Sequence, residues 1–162
     1  MSGVAGYTSE MCQQAMVEEM KALFKGRTFS GQQGMKPLKI YKQFIPIQTD
    51  DDDNIDTNES PYPCLIVKET SGTIKKLTAK TQQVLIQLIF CAYDQNVVNI
   101  KEAIIQHFEE QPVFGGTFKI NDDSPVEWDL SDDDMDDYYW GIVNMICDVP
   151  NVIRNKETEK LI

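Results

Sequence analysis

The chain has one histidine in 162 residues, which leaves little from which to build acid–base chemistry. A nucleophile–histidine–acid triad would have to use His107. That residue precedes Phe108 on the apolar side of a helical pattern, and no GxSxG glycines supply a nucleophile elbow. The sequence also lacks a Walker A loop, a GxGxxG turn and an HExxH helix, so phosphate, dinucleotide and zinc-protease chemistry are not expected. The four cysteines, at 12, 64, 91 and 147, never stand in CxxC spacing. Each adjoins an apolar segment and reads as a buried, reduced thiol acting as a small hydrophobe, not as a zinc ligand. Neither metal nor cofactor is expected. No stretch approaches the roughly 18 consecutive apolar residues of a membrane span. The first residues, MSGVAGYTSEM, lack the basic and apolar regions of a secretory signal, so the protein is expected to stay where it is made.

Bases are missing from two stretches. Residues 48–61 hold six acids and no base, and residues 121–137 hold nine acids and no base. Elsewhere eleven acids face fifteen bases, so the net charge of −11 belongs to two acidic segments on a mildly basic body. Oriented electrostatics follow from such a distribution, beyond mere solubility. Calcium binding is not indicated: Asp50, Asp51, Asp52 and Asp53 include no mid-loop glycine, and the run Asp132, Asp133, Asp134 is followed by Met135. Both acidic segments read as solvated loops. Lysines cluster at Lys36, Lys39 and Lys42 and at Lys75, Lys76 and Lys80. Without interleaved exposed aromatics these are solvated or interface-facing surfaces more than a nucleic-acid site.

With 41% hydrophobic residues, the chain can bury about two-thirds of its unfolded surface as one domain spanning 1–162. Thr8 or Ser9 caps a helix running to about Lys25, with Cys12, Ala15, Met16, Met20, Leu23 and Phe24 as its stripe and Gly26 closing it. A polar link from Arg27 to Gly34 follows. A strand then lies between Pro37 and Pro46, and another at 63–69. The segment SGTIKKLTAKT reads as a basic turn. Val84 to Ala92 is nearly all apolar, as in a central strand covered on both faces. Asp94 or Asn96 caps a second helix with core residues Val97, Ile100, Ile104, Ile105 and Phe108, which Pro112 and Gly115–Gly116 end. Short strands follow at about 117–120 and 126–130, and a last strand at 139–148. This order predicts an α+β fold, a mostly antiparallel sheet packed against two main helices. Alternation in the last strand puts Tyr139 and Gly141 on one face and Trp140 and Ile142 on the other. One set enters the core, and the other offers either a partner surface or a face for residues 121–137 to cover.

Taken together, KPLKIYKQFIP, the acidic loop, SPYPCLIVKE, LIQLIFCAYDQNVVNIKEAIIQHF and WDLSDDDMDDYYWGIVNMICDVPNVIR resemble the tail terminator (tail completion) proteins of long-tailed bacteriophages and prophages, which are related in fold to the lambda tail terminator. The matching positions are Tyr93–Asp94, where the third strand feeds a helix, the run from Asp132 to Tyr139, Gly141, and Pro150. The chain departs from the family's glycine-containing turn, having Asp94-Gln95-Asn96 instead. The resemblance implies a non-enzymatic virion subunit, assembled in the bacterial cytoplasm. It would form a homo-oligomeric, hexameric ring that caps the tail tube, stops tube polymerisation and joins the head connector or head-closure protein. DNA would pass through the lumen without specific binding. On this reading Lys36, Lys39, Lys42, Lys75, Lys76, Tyr139 and Trp140 meet a neighbouring subunit or the tube, and Asp50 to Asp53 and Asp132 to Asp134 face the lumen or a ring face. Competing readings are another neck component and an acidic DNA mimic that inhibits host nucleases. Concentration of fifteen acids in two runs disfavours the mimic, which needs carboxylates spread at phosphate-like spacing.

Overall fold

The computed structural model describes residues 7–31, 34–45, 62–74, 81–93, 96–131 and 138–150. Helix α1 (Ser9–Leu23) starts where Thr8, in extended conformation, accepts a hydrogen bond from the Met11 N–H at 3.1 Å, as a threonine N-cap should. It ends at Phe24, and Gly26 takes the left-handed conformation (φ 79°) that reverses the chain. The next segment is not the polar link expected from the sequence. It is a hairpin of β1 (Thr28–Gly31) and β2 (Gly34–Pro37), with Phe29 facing Lys36 and anchored in the core.

The main sheet holds seven strands in the order β3 (Lys39–Lys42), β4 (Cys64–Thr73), β5 (Thr81–Tyr93), β9 (Tyr138–Pro150), β7 (Phe118–Ile120) and β6 (Val113–Phe114), with β8 (Glu127–Leu130) also paired to β9. Strands β7 and β8 lie end to end along one edge of β9: β7 meets it at Cys147 and Asp148, β8 between Gly141 and Asn144. Every pairing in this sheet is antiparallel except β3 with β4. The centre is β5 against β9, in register over thirteen residues from Thr81↔Pro150 to Tyr93↔Tyr138. Helix α2 (Asn96–Glu110) follows β5 directly, with the Asn96 side-chain amide donating to the Tyr93 carbonyl at 2.9 Å. The fold is therefore α+β with two helices and a mostly antiparallel sheet, in which strands dominate.

Both helices share one core with one sheet face. Met16, Met20, Ile100 and Ile104 meet Leu65, Val67, Ile86, Leu88, Phe90, Val143 and Met145. Strand β5 was expected to be covered on both faces, but its burial alternates: Val84, Ile86, Leu88 and Phe90 are buried, while Leu85, Gln87 and Ile89 are half-buried. Full burial on both faces is reached only where Cys91 and Ala92 lie side by side, because a second aromatic cluster covers that end. Strand β4 also runs through Ser71-Gly72-Thr73, which the sequence suggested as a turn. Gly141 sits opposite Phe90 in the β5–β9 ladder. A Cβ on residue 141 would lie 2.2 Å from the Phe90 ring, so the ring occupies the space that a side chain would need.

Candidate functional site

Among the described residues three surfaces concentrate polar and aromatic chemistry. The first is on the sheet face away from the helices. Cys64 and Cys91 oppose each other across β4 and β5 and, with Tyr138, are buried under Tyr41, Ile45, Tyr62, Tyr93 and Trp140. The Tyr62 ring lies 4.9 Å from the Tyr138 ring and 5.8 Å from Trp140, edge-on to the latter. Burial pushes both thiols up to about 12, and it also raises the Tyr62 phenol. Cys147 and Cys12, buried on the other face, share a hydrogen bond, and that bond together with burial raises the Cys147 thiol. All four cysteines are free and buried, as the sequence suggested, and pack as small hydrophobes. Among the described residues no three metal-ligating side chains converge.

The second surface lies around the C-terminal end of α1. Lys21 and Lys25 flank a depression of about 270 Å³ floored by Phe24, Leu38 and Ile40, and Lys36 on β2 and Lys39 on β3 adjoin it in sequence. Met35, beside Lys36, is 62% exposed. Lys42, an expected interface residue, bonds Glu10 of its own chain at 3.2 Å.

The third surface is an apolar groove of about 340 Å³ between α2 and the β7–β8 loop, lined by Ile105, Phe108, Pro112, Ile120, Val126 and Met145. Glu109 and Asp122 stand at its rim. Asp122 accepts a hydrogen bond from Lys119 at 2.6 Å, and this raises the Lys119 pKa. Asp123, Glu127 and Asp129 continue the acidic character along the loop and β8, all exposed. Strand β8 is held to α2 by Trp128, whose ring centroid lies 4.1 Å from the buried Lys101 ammonium. A carboxylate of Glu102 bonds the same ammonium.

Tyr139 turns inward and packs against the main core, and Trp140 turns outward, half-buried in the aromatic cluster. The alternation expected in the last strand is therefore present, with the Tyr139–Gly141 set inside. His107 sits on the helix rim, its Nε2 2.5 Å from a Glu19 carboxylate oxygen, and so joins the two helices. Lys75, Lys76, Asp50, Asp51, Asp52, Asp53, Asp132, Asp133 and Asp134 lie outside the described residues.

The sequence reading missed a glutamine latch. Strand β3 ends at Lys42, and Gln43 takes a left-handed conformation (φ 70°). Its side-chain amide then does what another β3 residue would do. Its oxygen accepts from the Glu69 N–H at 3.0 Å, and its nitrogen donates to the Glu69 carbonyl at 3.2 Å. Buried Gln13 of α1 donates to the same Gln43 oxygen at 2.5 Å and to the Val67 carbonyl at 3.0 Å. A glutamine inside an otherwise apolar helix stripe was the available signal. Among the described residues no helix is long and apolar enough to cross a membrane. Compared with known proteins, the chain matches no family model and no curated protein sequence.

Proposed function

We propose that the protein is a non-enzymatic structural subunit of a long-tailed phage or prophage virion, a tail terminator that caps the tail tube as a homo-oligomeric ring and joins it to the head connector. The observation that carries this reading is the coincidence of the resembling segments with the structural centre. The stretch that resembles the family's third strand and helix is the continuous unit β5–α2, and the stretch with the early glycine and terminal proline is β9. Strands β5 and β9 are paired along their whole length, and Gly141 fills a packing role against Phe90.

The surfaces support assembly more than small-molecule chemistry. A ring needs two different patches on each copy, joined by a rotation that closes. Here a lysine-flanked surface and an acid-rimmed groove provide opposite signs. The acids at Asp50 to Asp53 and Asp132 to Asp134 face the lumen or a ring face in this reading, where negative charge would keep passing DNA from sticking.

The test is the molar mass by light scattering over a concentration series, together with electron microscopy of tail tubes assembled with and without the protein. A closed species of six 18.5 kDa chains, roughly 110 kDa, and tubes capped at one end are expected. Tubes that grow uncapped and never retain the protein would overturn the proposal. Inhibition of a host nuclease by the purified protein would favour the DNA-mimic reading instead.

A further inference from the structure

We infer that the acid-rimmed groove beside α2 is the docking site for the β1–β2 hairpin of a second copy of this chain, with Met35 entering the groove and Lys25 and Lys36 meeting Glu109 and Asp122. This rests on the ring-subunit reading and names the contact that would build the ring.

The hairpin forms its own two-stranded sheet, separate from the main one. Phe29 ties β1 to the core, but Gly34, Met35 and Pro37 of β2 are exposed. Met35, at 62% exposure, is a flexible apolar side chain held out on a short strand, and methionine is suited to filling irregular gaps in a partner. Cations lie nearby along the chain: Lys36 follows it, on the opposite face of the hairpin where it pairs with Phe29, and Lys25 and Arg27 precede the hairpin. Arg27 lies over the Phe24 ring at 5.9 Å. Lys21, near the end of α1, lies 4.0 Å from Glu18.

The groove has the opposite character. Its walls are Ile105, Phe108, Pro112 and Val126, and its rim carries Glu109 and Asp122. Asp123 and Glu127 adjoin it in sequence. Two cations are close, and both have partners: Lys119 is bonded to Asp122, and Lys101 is buried between Glu102 and Trp128. The groove is thus apolar inside and net acidic outside, the complement of an exposed methionine among lysines.

Geometry keeps the two surfaces apart on one copy. Ala103, Gln106, His107 and Glu110 form one flank of α2, and they line a depression together with Leu23 and Arg27, where the hairpin begins. Ile105, Glu109 and the groove occupy the other flank. Helix α2 stands between donor and acceptor, so a copy cannot satisfy its own groove at the hairpin base. The pairing passes to a neighbour and leaves that neighbour's hairpin free for the next. That is the head-to-tail pattern from which rings are built.

The test is a directed cross-link in the full chain. Met35→Cys in one preparation and Val126→Cys in another, distinguished by tag size, are mixed under mild copper–phenanthroline oxidation. The four native thiols are buried and do not compete. A mixed disulfide is expected well above the yield with Ile74→Cys, a comparably exposed site on the far end of β4 (Ile74 is 45% exposed). Glu109→Lys with Asp122→Lys on the Val126→Cys copy should reduce it at least fivefold, and Lys25→Glu with Lys36→Glu on the Met35→Cys copy should restore it. Circular dichroism of each variant checks folding. Equal linking at Ile74→Cys, or indifference to the charge reversals, overturns this contact. If tubes are still capped in that case, the ring reading stands without it. If the cross-link behaves as expected but no ring or tube cap forms, the contact stands and the tail reading fails.

Discussion

Replacing Gly141 by alanine adds one methyl group, and the structure says where it must go. Gly141 does not adopt a positive φ, so the backbone itself accepts alanine. The obstacle is steric: the new Cβ would lie 2.2 Å from Phe90 Cε2, 2.6 Å from Cζ and 2.9 Å from Leu130 Cδ2. Ordinary contact begins near 3.4 Å, so the ring edge has to retreat by about 1.2 Å into a core packed at crystal-like density. Phe90 is fully buried and among the largest such side chains. Overpacking of this kind costs about 1–3 kcal/mol, partly offset by the roughly 0.4–1 kcal/mol that alanine gains by restricting the unfolded chain. The net expectation is a loss of about 1–2 kcal/mol, or a Tm lower by about 2–8 °C in a domain of this size. Urea denaturation followed by far-ultraviolet circular dichroism should show a lower midpoint with unchanged slope. Phe90→Leu shortens the obstructing ring. Its cost should shrink in the Gly141→Ala background, with a coupling of at least about 1 kcal/mol in the double-mutant cycle. Wild-type stability in Gly141→Ala, or strict additivity with Phe90→Leu, would refute the assigned role of the glycine.

Other perturbations test the remaining joints. Gln43→Leu removes both rungs to Glu69 and the bond from Gln13, and should cost about 1–3 kcal/mol, with the Glu69 amide losing protection in hydrogen exchange. Trp128→Ala removes the ring over Lys101 and should cost about 1–2 kcal/mol, with exchange rising first in β8. Cys64 and Cys91 have folded pKa values raised from 9.0 to about 12. The fold therefore favours the neutral thiols, and their contribution is complete below pH 9 and lost as pH rises from 9 towards 12. Urea melts between pH 8 and 11 under reducing conditions should slope downward, and less so in a Cys64→Ala/Cys91→Ala variant. Because all four thiols are buried, an aromatic disulfide reagent should label the native protein slowly and all four thiols once guanidinium unfolds it.

Elements with a strong period were legible in the sequence. The α1 stripe, the run at Val84 to Ala92, the α2 face and the alternation in β9 correspond to real elements, because each period matches one buried face. Where two signals competed, the sequence reading failed. Residues 28–37 hold two glycines and few apolar residues, so the pattern argued for a link. The hairpin forms because Phe29 anchors one strand, a tertiary contact that local composition does not reveal. Strand β3 is shorter than its alternation suggested because Gln43 leaves the β region and pairs through its side chain, which no periodicity rule registers. The lysines were visible as a cluster, but which of them were already used was not. Lys42 is held by Glu10, more than thirty residues away in sequence. The groove was invisible because its walls come from α2, β7, β9 and the loop between β7 and β8, and separate segments leave no local motif.

The opposite signs of the hairpin base and the groove rim constrain how a ring could grow. Exposed ion pairs contribute about 0–1 kcal/mol each, so the lysines and carboxylates would set orientation and salt sensitivity more than affinity. Burying the exposed part of Met35 adds about 1–2 kcal/mol. Against the several kcal/mol lost when two free molecules associate, one such contact leaves a pair scarcely populated at micromolar concentration. A closed ring differs because its last contact forms within an assembly already held together, at an effective concentration on the order of millimolar. Growth through this contact would then be cooperative, with monomers and closed rings dominating and open intermediates rare. A tube tip that orients several copies at once would supply the same advantage from outside, so ring closure would follow the tube. High salt should therefore suppress the cross-link between Met35→Cys and Val126→Cys in solution more strongly than it releases copies already closed on a tube.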